Sequence, residues 1–215
     1  MLENSWSRSS GSASSPSSSF RPSPVLCKTP AIREPLPYRH RDPLLFELLW
    51  LTGGRVSEVA GLDVGSITLA TSAIRILYHG KGGKERVIPI PLRQNGQGLK
   101  KAWALRNRIR AYLLSVRPRF QKPSRPTEAL FLSKNGTRLT PRSIERLLEK
   151  YVLELGLPPY SPHSLRHGAA TKLLGYDVDL KTISEILGHA SAAVTATIYV
   201  HTEEKKKGEA MARVL

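Results

Sequence analysis

The segment Pro162-His163-Ser164-Leu165-Arg166-His167 puts two imidazoles and a guanidinium within six consecutive residues. Groups of this kind suit chemistry at a phosphodiester. Cutting one without a metal takes a nucleophile in line with phosphorus, a base for the nucleophile's proton and an acid for the leaving oxygen. It also takes cations for the two non-bridging oxygens. Guanidinium serves those oxygens well, because its planar fork matches phosphate and its charge is permanent. Positions 163 and 166 stand about one helical turn apart, so their side chains share a face. Spacing leaves the direction of His167 open. Leu165, Ala169, Ala170, Leu173 and Leu174 supply the face to be buried. Two plainer readings stand beside this one. The segment could be a solvated basic helix start, or His163 and His167 could form a metal pair at i,i+4. The second lacks a nearby acidic or cysteine ligand.

These side chains need elements to hold them. Residues 1–40 read as a Ser/Pro-rich, disordered tail. Eleven of the first 24 residues are Ser, too polar a stretch to offset its own ordering entropy. Residues 41–215 read as the folded domain. Asp42 and Pro43 look like the cap and first position of a buried helix over 43–51. A second short helix is expected over 55–62. Strands over 74–79 and 85–90 flank the basic turn Gly80-Lys81-Gly82-Gly83-Lys84, which makes a β-hairpin. A basic helix follows over 99–116, then a short strand at 130–132. Helices are expected over 141–155, 162–174, 179–187, 191–198 and 203–214. The fold class is mainly α with α+β character, a helical domain carrying one small antiparallel sheet.

The charge balance narrows the partner. There are 33 Lys and Arg against 17 Asp and Glu, a net charge of +16, with a pI near 10.3. Such a balance favours a polyanion, nucleic acid before membrane surface or ribosome. Cys27 is the single cysteine, which excludes an internal disulfide or a Cys-based zinc site. No apolar run approaches the roughly 18 residues of a membrane span. The N-terminus lacks the continuous apolar stretch of a secretory signal, and its Ser and Arg content gives only a weak likeness to a transit peptide. A cytoplasmic location, at the bacterial nucleoid, is expected. Lys100, Lys101, Arg106, Arg108 and Arg110 read as a non-specific grip on DNA. So do Arg138, Arg142 and Arg146, which recur at four-residue spacing as one positive stripe. A merely solubilising face is the alternative.

Five boxes carry a resemblance. Thr52-Gly53-Gly54-Arg55-Val56-Ser57-Glu58 resembles T-G-x-R-x-x-E. Gly80 to Arg86 resembles G-K-G-x-K-x-R. His163 to Thr171 resembles H-x-L-R-H-x-x-A-T. Leu187-Gly188-His189 and Tyr199-Val200-His201 resemble L-G-H and Y-x-H. Together, in this order, they resemble the catalytic domain of the tyrosine recombinases, the phage integrase family, over residues 41 to 202. The resemblance implies a site-specific recombinase or integrase that breaks and rejoins DNA through a 3′-phosphotyrosine, with no metal, nucleotide or other cofactor. It implies Tyr199 as nucleophile and Arg55 and Arg166 on the non-bridging oxygens. His163 would accept the tyrosine proton, Lys81 would protonate the leaving oxygen, and His189 would donate a further hydrogen bond. Glu58 would orient its neighbours, and Lys84, Arg86, Arg138 and Arg142 would contact DNA. The implied partners are double-stranded DNA and further copies of the chain, a tetramer on paired sites, with no membrane.

Each residue also has a plainer reading. Arg55 could be a salt-bridge partner of Glu58 at i+3. Lys84 competes with Lys81. His189 could cap a helix, and Tyr199 could be a core aromatic, as Tyr78, Tyr112, Tyr151, Tyr160 and Tyr176 show that tyrosine is common here. His167 and His201 match positions that are structural. Members of the family carry an N-terminal DNA-clamping domain, which is expected to be absent here. The alternatives are therefore a truncated, non-catalytic DNA-binding remnant or regulator, and a relaxing topoisomerase of the same chemistry.

Overall fold

The computed structural model describes residues 36–92 and 97–188. Its spine is α1 (Leu36–Thr52). Leu44, Leu45, Phe46, Leu48 and Leu49 are all buried, so the helix is covered on most of its circumference, as its run of apolar residues requires. It starts at Leu36 rather than after Asp42, and Pro43 lies inside it. Asp42 is not a cap. Its carboxylate accepts from Arg41 Nε at 2.6 Å and from the Tyr151 hydroxyl at 3.1 Å, and it is 1% exposed. A pairing across the core has outranked the local cap preference. Arg41 also donates to the Leu132 carbonyl at 2.8 Å and lies over the rings of Tyr38 and Phe120.

After α2 (Val56–Gly61) and a 3₁₀ turn at Val64–Ser66 comes the sheet. Strands β1 (Ile67–Leu69), β2 (Ala73–His79) and β3 (Glu85–Pro91) run antiparallel in that order. Ile76 pairs with Ile67 on one side and Ile88 on the other, and His79 faces Glu85 at the hairpin end. Ile74, Ile76 and Tyr78 point inward and Arg75 outward, the period of two that the strand reading relied on. β1 was not expected, because three residues are too few to show an alternation.

α3 (Gln97–Ala111) runs on through a π turn at Tyr112–Val116 and a 3₁₀ turn at Arg117–Arg119. The expected strand at 130–132 is instead a buried extended segment with an isolated bridge between Leu132 and Arg138. Its carbonyls are met by side chains and one loop amide, and its Leu130 amide donates to the Leu62 carbonyl at 2.8 Å. Arg117 Nε donates to the Ala129 carbonyl, the Tyr112 hydroxyl to Leu130, Leu139 N to Phe131 and Arg41 Nη1 to Leu132, all within 3.0 Å. With its carbonyls engaged in this way, a second strand is not needed to bury it.

Three capped helices complete the described fold. α4 (Pro141–Glu154) is capped by Thr140, α5 (Pro162–Leu174) by Ser161 and α6 (Leu180–Leu187) by Asp179. All three match expectation. α5 packs on α1, α4 on α2, and α6 on α5 and β3. Ala170, Leu174, Ile183 and Leu187 form a smaller core between α5 and α6. The fold is mainly helical with one small antiparallel sheet. Among the described residues no helix is long and apolar enough to cross a membrane. Of the tail expected over 1–40, residues 36–40 instead belong to α1, where Tyr38 packs on Phe120. Residues 1–35 and the helices expected at 191–198 and 203–214 lie outside the described residues.

The buried pair Arg41–Asp42 and the exposed pair Arg108–Glu47 set up a contrast. Asp42→Ala leaves a buried guanidinium without its counter-charge and is expected to cost about 3–5 kcal/mol. Arg108→Ala is expected to cost about 0–1 kcal/mol. Urea unfolding of both variants checks this, and equal losses would contradict the assignment of Asp42 to the core.

Candidate active site

The site is built around the break between α1 and α2. Gly53 has φ +59°, and a Cβ there would stand 2.4 Å from Leu187 Cδ2 and 3.3 Å from Ala169 Cβ. Only glycine lets the chain turn here while α5 and α6 press against it. The turn aims the Gly53 carbonyl at α5, where it accepts from Arg166 Nη1 at 2.6 Å. Arg166 is 7% exposed. Its Nη2 is also buried and has no hydrogen-bond acceptor among the described residues. Burial first, then the charge of Arg55, bring its pKa down to about 10, so it stays protonated at neutral pH. A buried cation with an unused donor calls for an anion.

Arg55 precedes α2. Glu58 reaches back one turn to accept from the Arg55 amide at 2.7 Å and from Arg55 Nη1 at 2.9 Å. The i,i+3 ion pair anticipated as the plain reading is therefore real, but it is not a surface pair. The Glu58 side chain is 4% exposed and that of Arg55 42%, so one end is fixed in the protein and the other faces solvent. Arg55 Nη2 also donates to the Gly188 carbonyl at 3.1 Å. Arg86, on β3, closes the other side of the carboxylate, with Nη1 and Nη2 each 2.8 Å from a different oxygen. Burial alone would raise the Glu58 pKa. The hydrogen bonds from Arg86 and Arg55 outweigh it and hold the carboxyl below its ordinary value of 4.5.

A cavity of about 940 Å³ opens over this cluster. Arg55, Arg142, His163 and Arg166 line it, with Tyr160 and the outer face of α4. The first turn of α5 also lines it, through Ser161, Pro162 and His163, so the helix's positive end faces the same space. Arg55 and Arg166 are brought together as expected, with His163 and Arg142 beside them. Lys81 lies in the tight turn Lys81–Gly83 at the hairpin tip, and exposed Lys84 follows. The base of that turn rests on the cluster, since a Cβ at Gly80 would stand 3.7 Å from Glu58 Oε1. His189 and Tyr199 lie outside the described residues.

Two residues expected on DNA have other tasks. Arg86 is occupied by Glu58 and by the Ile186 carbonyl. Arg138 precedes the Thr140 cap, so it cannot share a helical stripe with Arg142 and Arg146. It donates instead to the carbonyls of Ala60 and Leu62 and pairs with Asp63. Sequence reasoning missed the Gly53, Ile186 and Gly188 carbonyls as arginine acceptors, since every residue has a carbonyl and spacing cannot single one out. Of the rival tyrosines, Tyr78, Tyr112 and Tyr151 are in the core, and burial pushes Tyr78 up to about 12. Among the described residues no three His, Cys, Asp or Glu side chains group as metal ligands.

The depressed Glu58 pKa has a sign that can be read in solution. The native state holds this carboxylate charged where the unfolded chain binds a proton. Its stabilisation is therefore full above pH 4.5 and is lost as pH falls through the lower native value. Thermal midpoints measured from about pH 5 to about pH 2 should fall more steeply for the wild type than for Glu58→Gln. Identical slopes would show that Glu58 is not held this way.

Known proteins share this arrangement of elements. The model of the phage integrase family matches residues 26–206. The tyrosine recombinase XerC of Myxococcus xanthus is 42% identical over 156 residues, 72% of this chain and 48% of that protein. The structure of the XerH site-specific recombinase bound to a palindromic difH substrate, a post-cleavage complex, superposes with a TM-score of 0.69 at 26% identity. It covers 87% of this chain and 49% of that one. The XerA recombinase superposes with a TM-score of 0.63 at 27% identity, over 79% of this chain and 58% of that one. The chain spans about half the length of the curated relatives it matches. With most of its length matched by the family model and its described fold shared with these recombinases, the chain belongs to the phage integrase family, that of the tyrosine recombinases.

Proposed function

We propose that this chain is the catalytic part of a site-specific DNA recombinase that cuts and rejoins duplex DNA through a 3′-phosphotyrosine. The observation that carries the reading is the buried, unpartnered Nη2 of Arg166, a residue that lines one cavity together with Arg55. Two guanidiniums there suit the two non-bridging oxygens of one phosphodiester. In the proposed step the Tyr199 oxygen bonds to phosphorus and the bond to the 5′ oxygen breaks. His163 takes the tyrosine proton, Lys81 gives one to the leaving 5′ oxygen, and His189 adds a hydrogen bond to the phosphoryl group. Religation reverses these transfers. The covalent link keeps the energy of the broken bond, so neither ATP nor a metal is required by the balance of the reaction.

Glu58 holds Arg55 in place, and Arg142 in the cavity wall and exposed Lys84 in the hairpin reach neighbouring phosphates. The chain from α1 onward acts as the catalytic domain, the residues before it as a tail, and four copies work on paired sites at the nucleoid.

A nicked suicide duplex tests the reading. The wild type is expected to form an SDS-resistant adduct with it, unaffected by EDTA. Tyr199→Phe should abolish the adduct, and Arg166→Ala should slow it by about 10²–10³-fold. An adduct kept in Tyr199→Phe and lost in Tyr160→Phe would move the nucleophile to the cavity-lining tyrosine. Tight binding with no adduct on any site would favour a regulator that occupies DNA without cutting it.

A further inference from the structure

Arg86 stands where three elements meet. It belongs to β3, the returning strand of the hairpin. Its Nη1 and Nη2 fork onto the two oxygens of Glu58 in α2, each at 2.8 Å. Its Nε donates to the Ile186 carbonyl in the last turn of α6 at 3.0 Å. The guanidinium lies over the Tyr78 ring, 4.9 Å from its centre. Against the opposite side comes Gly188, where a Cβ would stand 2.7 Å from Nη1. The side chain is 13% exposed, and each of its three nitrogens is already donating.

This is not how a phosphate contact looks. A DNA-gripping cation keeps its donors toward solvent, and Arg86 has turned all its nitrogens inward. Nor is a generic cation enough here. A lysine ammonium could neutralise Glu58, but it could not span both carboxylate oxygens and a carbonyl from a third element while stacking on an aromatic ring. The geometry suits a bolt. Strand β3 leaves the hairpin turn at Lys84 and reaches Arg86 two residues on, and the turn itself rests on Glu58 at Gly80. Fixing Arg86 therefore fixes the exit arm of the turn, and the Gly80 amide, donating to the Lys84 carbonyl at 2.7 Å, ties to it the entry arm that leads into Lys81.

We propose that Arg86 is a positioning residue, which seats the β2–β3 hairpin on Glu58 and on the end of α6 and thereby sets where Lys81 meets the leaving oxygen. The inference rests on the role given to Lys81 above. Arg86 touches no reacting atom. It acts by limiting where the hairpin tip can be.

A sulfur atom in place of the bridging 5′ oxygen separates this role from others, because a thiolate leaves without needing a proton. On the ordinary suicide duplex, Arg86→Met is expected to form adduct at least about tenfold more slowly, as a misplaced general acid would cause. On the sulfur-bridged duplex it should come within about threefold of the wild type, while Arg166→Ala stays slow on both. Equal loss of Arg86→Met on both duplexes would overturn the proposal and leave Arg86 a structural or phosphate-directed residue. If Arg86→Met does not fold, as judged by circular dichroism, Arg86→Lys keeps the charge and lacks the fork, and the same sulfur-selective rescue is required of it. Hydrogen exchange gives a measurement that does not depend on cleavage. Amides of 80–84 should exchange about tenfold faster in Arg86→Lys while those of β1 do not change. Unaltered exchange at 80–84 would overturn the seating role. A wild type that forms no adduct with either duplex would sink the recombinase reading instead, and the exchange result would still decide whether Arg86 seats the hairpin.

Discussion

One buried carboxylate makes the rest of the site possible. Arg55, Arg86 and Arg166 lie close enough for their charges to act on one another, and three guanidiniums at such range repel. Glu58 is the single described counter-charge hydrogen-bonded among them, with four donors on its two oxygens. That degree of satisfaction is what lets a carboxylate stay charged while almost wholly buried. The cluster keeps an excess of two positive charges, three against one. Part of that excess is on Arg166, which shares no hydrogen bond with Glu58 and leans on a neutral carbonyl instead. Arg55 and Arg166 both line the cavity, where a phosphate would meet them.

Arginine does more internal work in this protein than its charge suggests. Arg41, Arg55, Arg86, Arg117, Arg138 and Arg166 all donate to backbone carbonyls, at Leu132, Gly188, Ile186, Ala129, Ala60 and Gly53 respectively. These carbonyls lie in turns, helix ends and one extended segment, where no ladder supplies a donor. A guanidinium, with five N–H groups in a plane, can finish such places and reach across to a second element. The net charge of +16 therefore overstates what is presented to a polyanion. Several of the cations counted in it are fastenings.

That explains which parts of the fold could be read from sequence. The helices over 141–155, 162–174 and 179–187 were legible because their apolar spacing and end residues are local signals that do not depend on distant residues, and Thr140, Ser161 and Asp179 do cap them. The hairpin was legible for the same reason. Asp42 carried the same kind of signal and misled, because Tyr151 and Arg41 claimed its carboxylate. The segment 130–132 reads as a strand by composition, and only the arrival of Arg41, Tyr112 and Arg117 at this stretch explains why it pairs with almost nothing. At the site, residue types and spacing pointed to His163 and Arg166 and the family resemblance to Arg55, and the three share a cavity. They could not separate Arg86 and Arg138 from the truly exposed cations, since burial and partner choice belong to the assembled fold.

The unshared nitrogen of Arg166 has a consequence for how a target on DNA is chosen. A fork aimed at phosphate oxygens meets the same chemical group at every step of a duplex, whatever base stands above it. Chemistry built on it is blind to sequence. In the proposed recombinase, recognition would be delegated to other surfaces, leaving the reactive centre free to serve many different addresses without alteration.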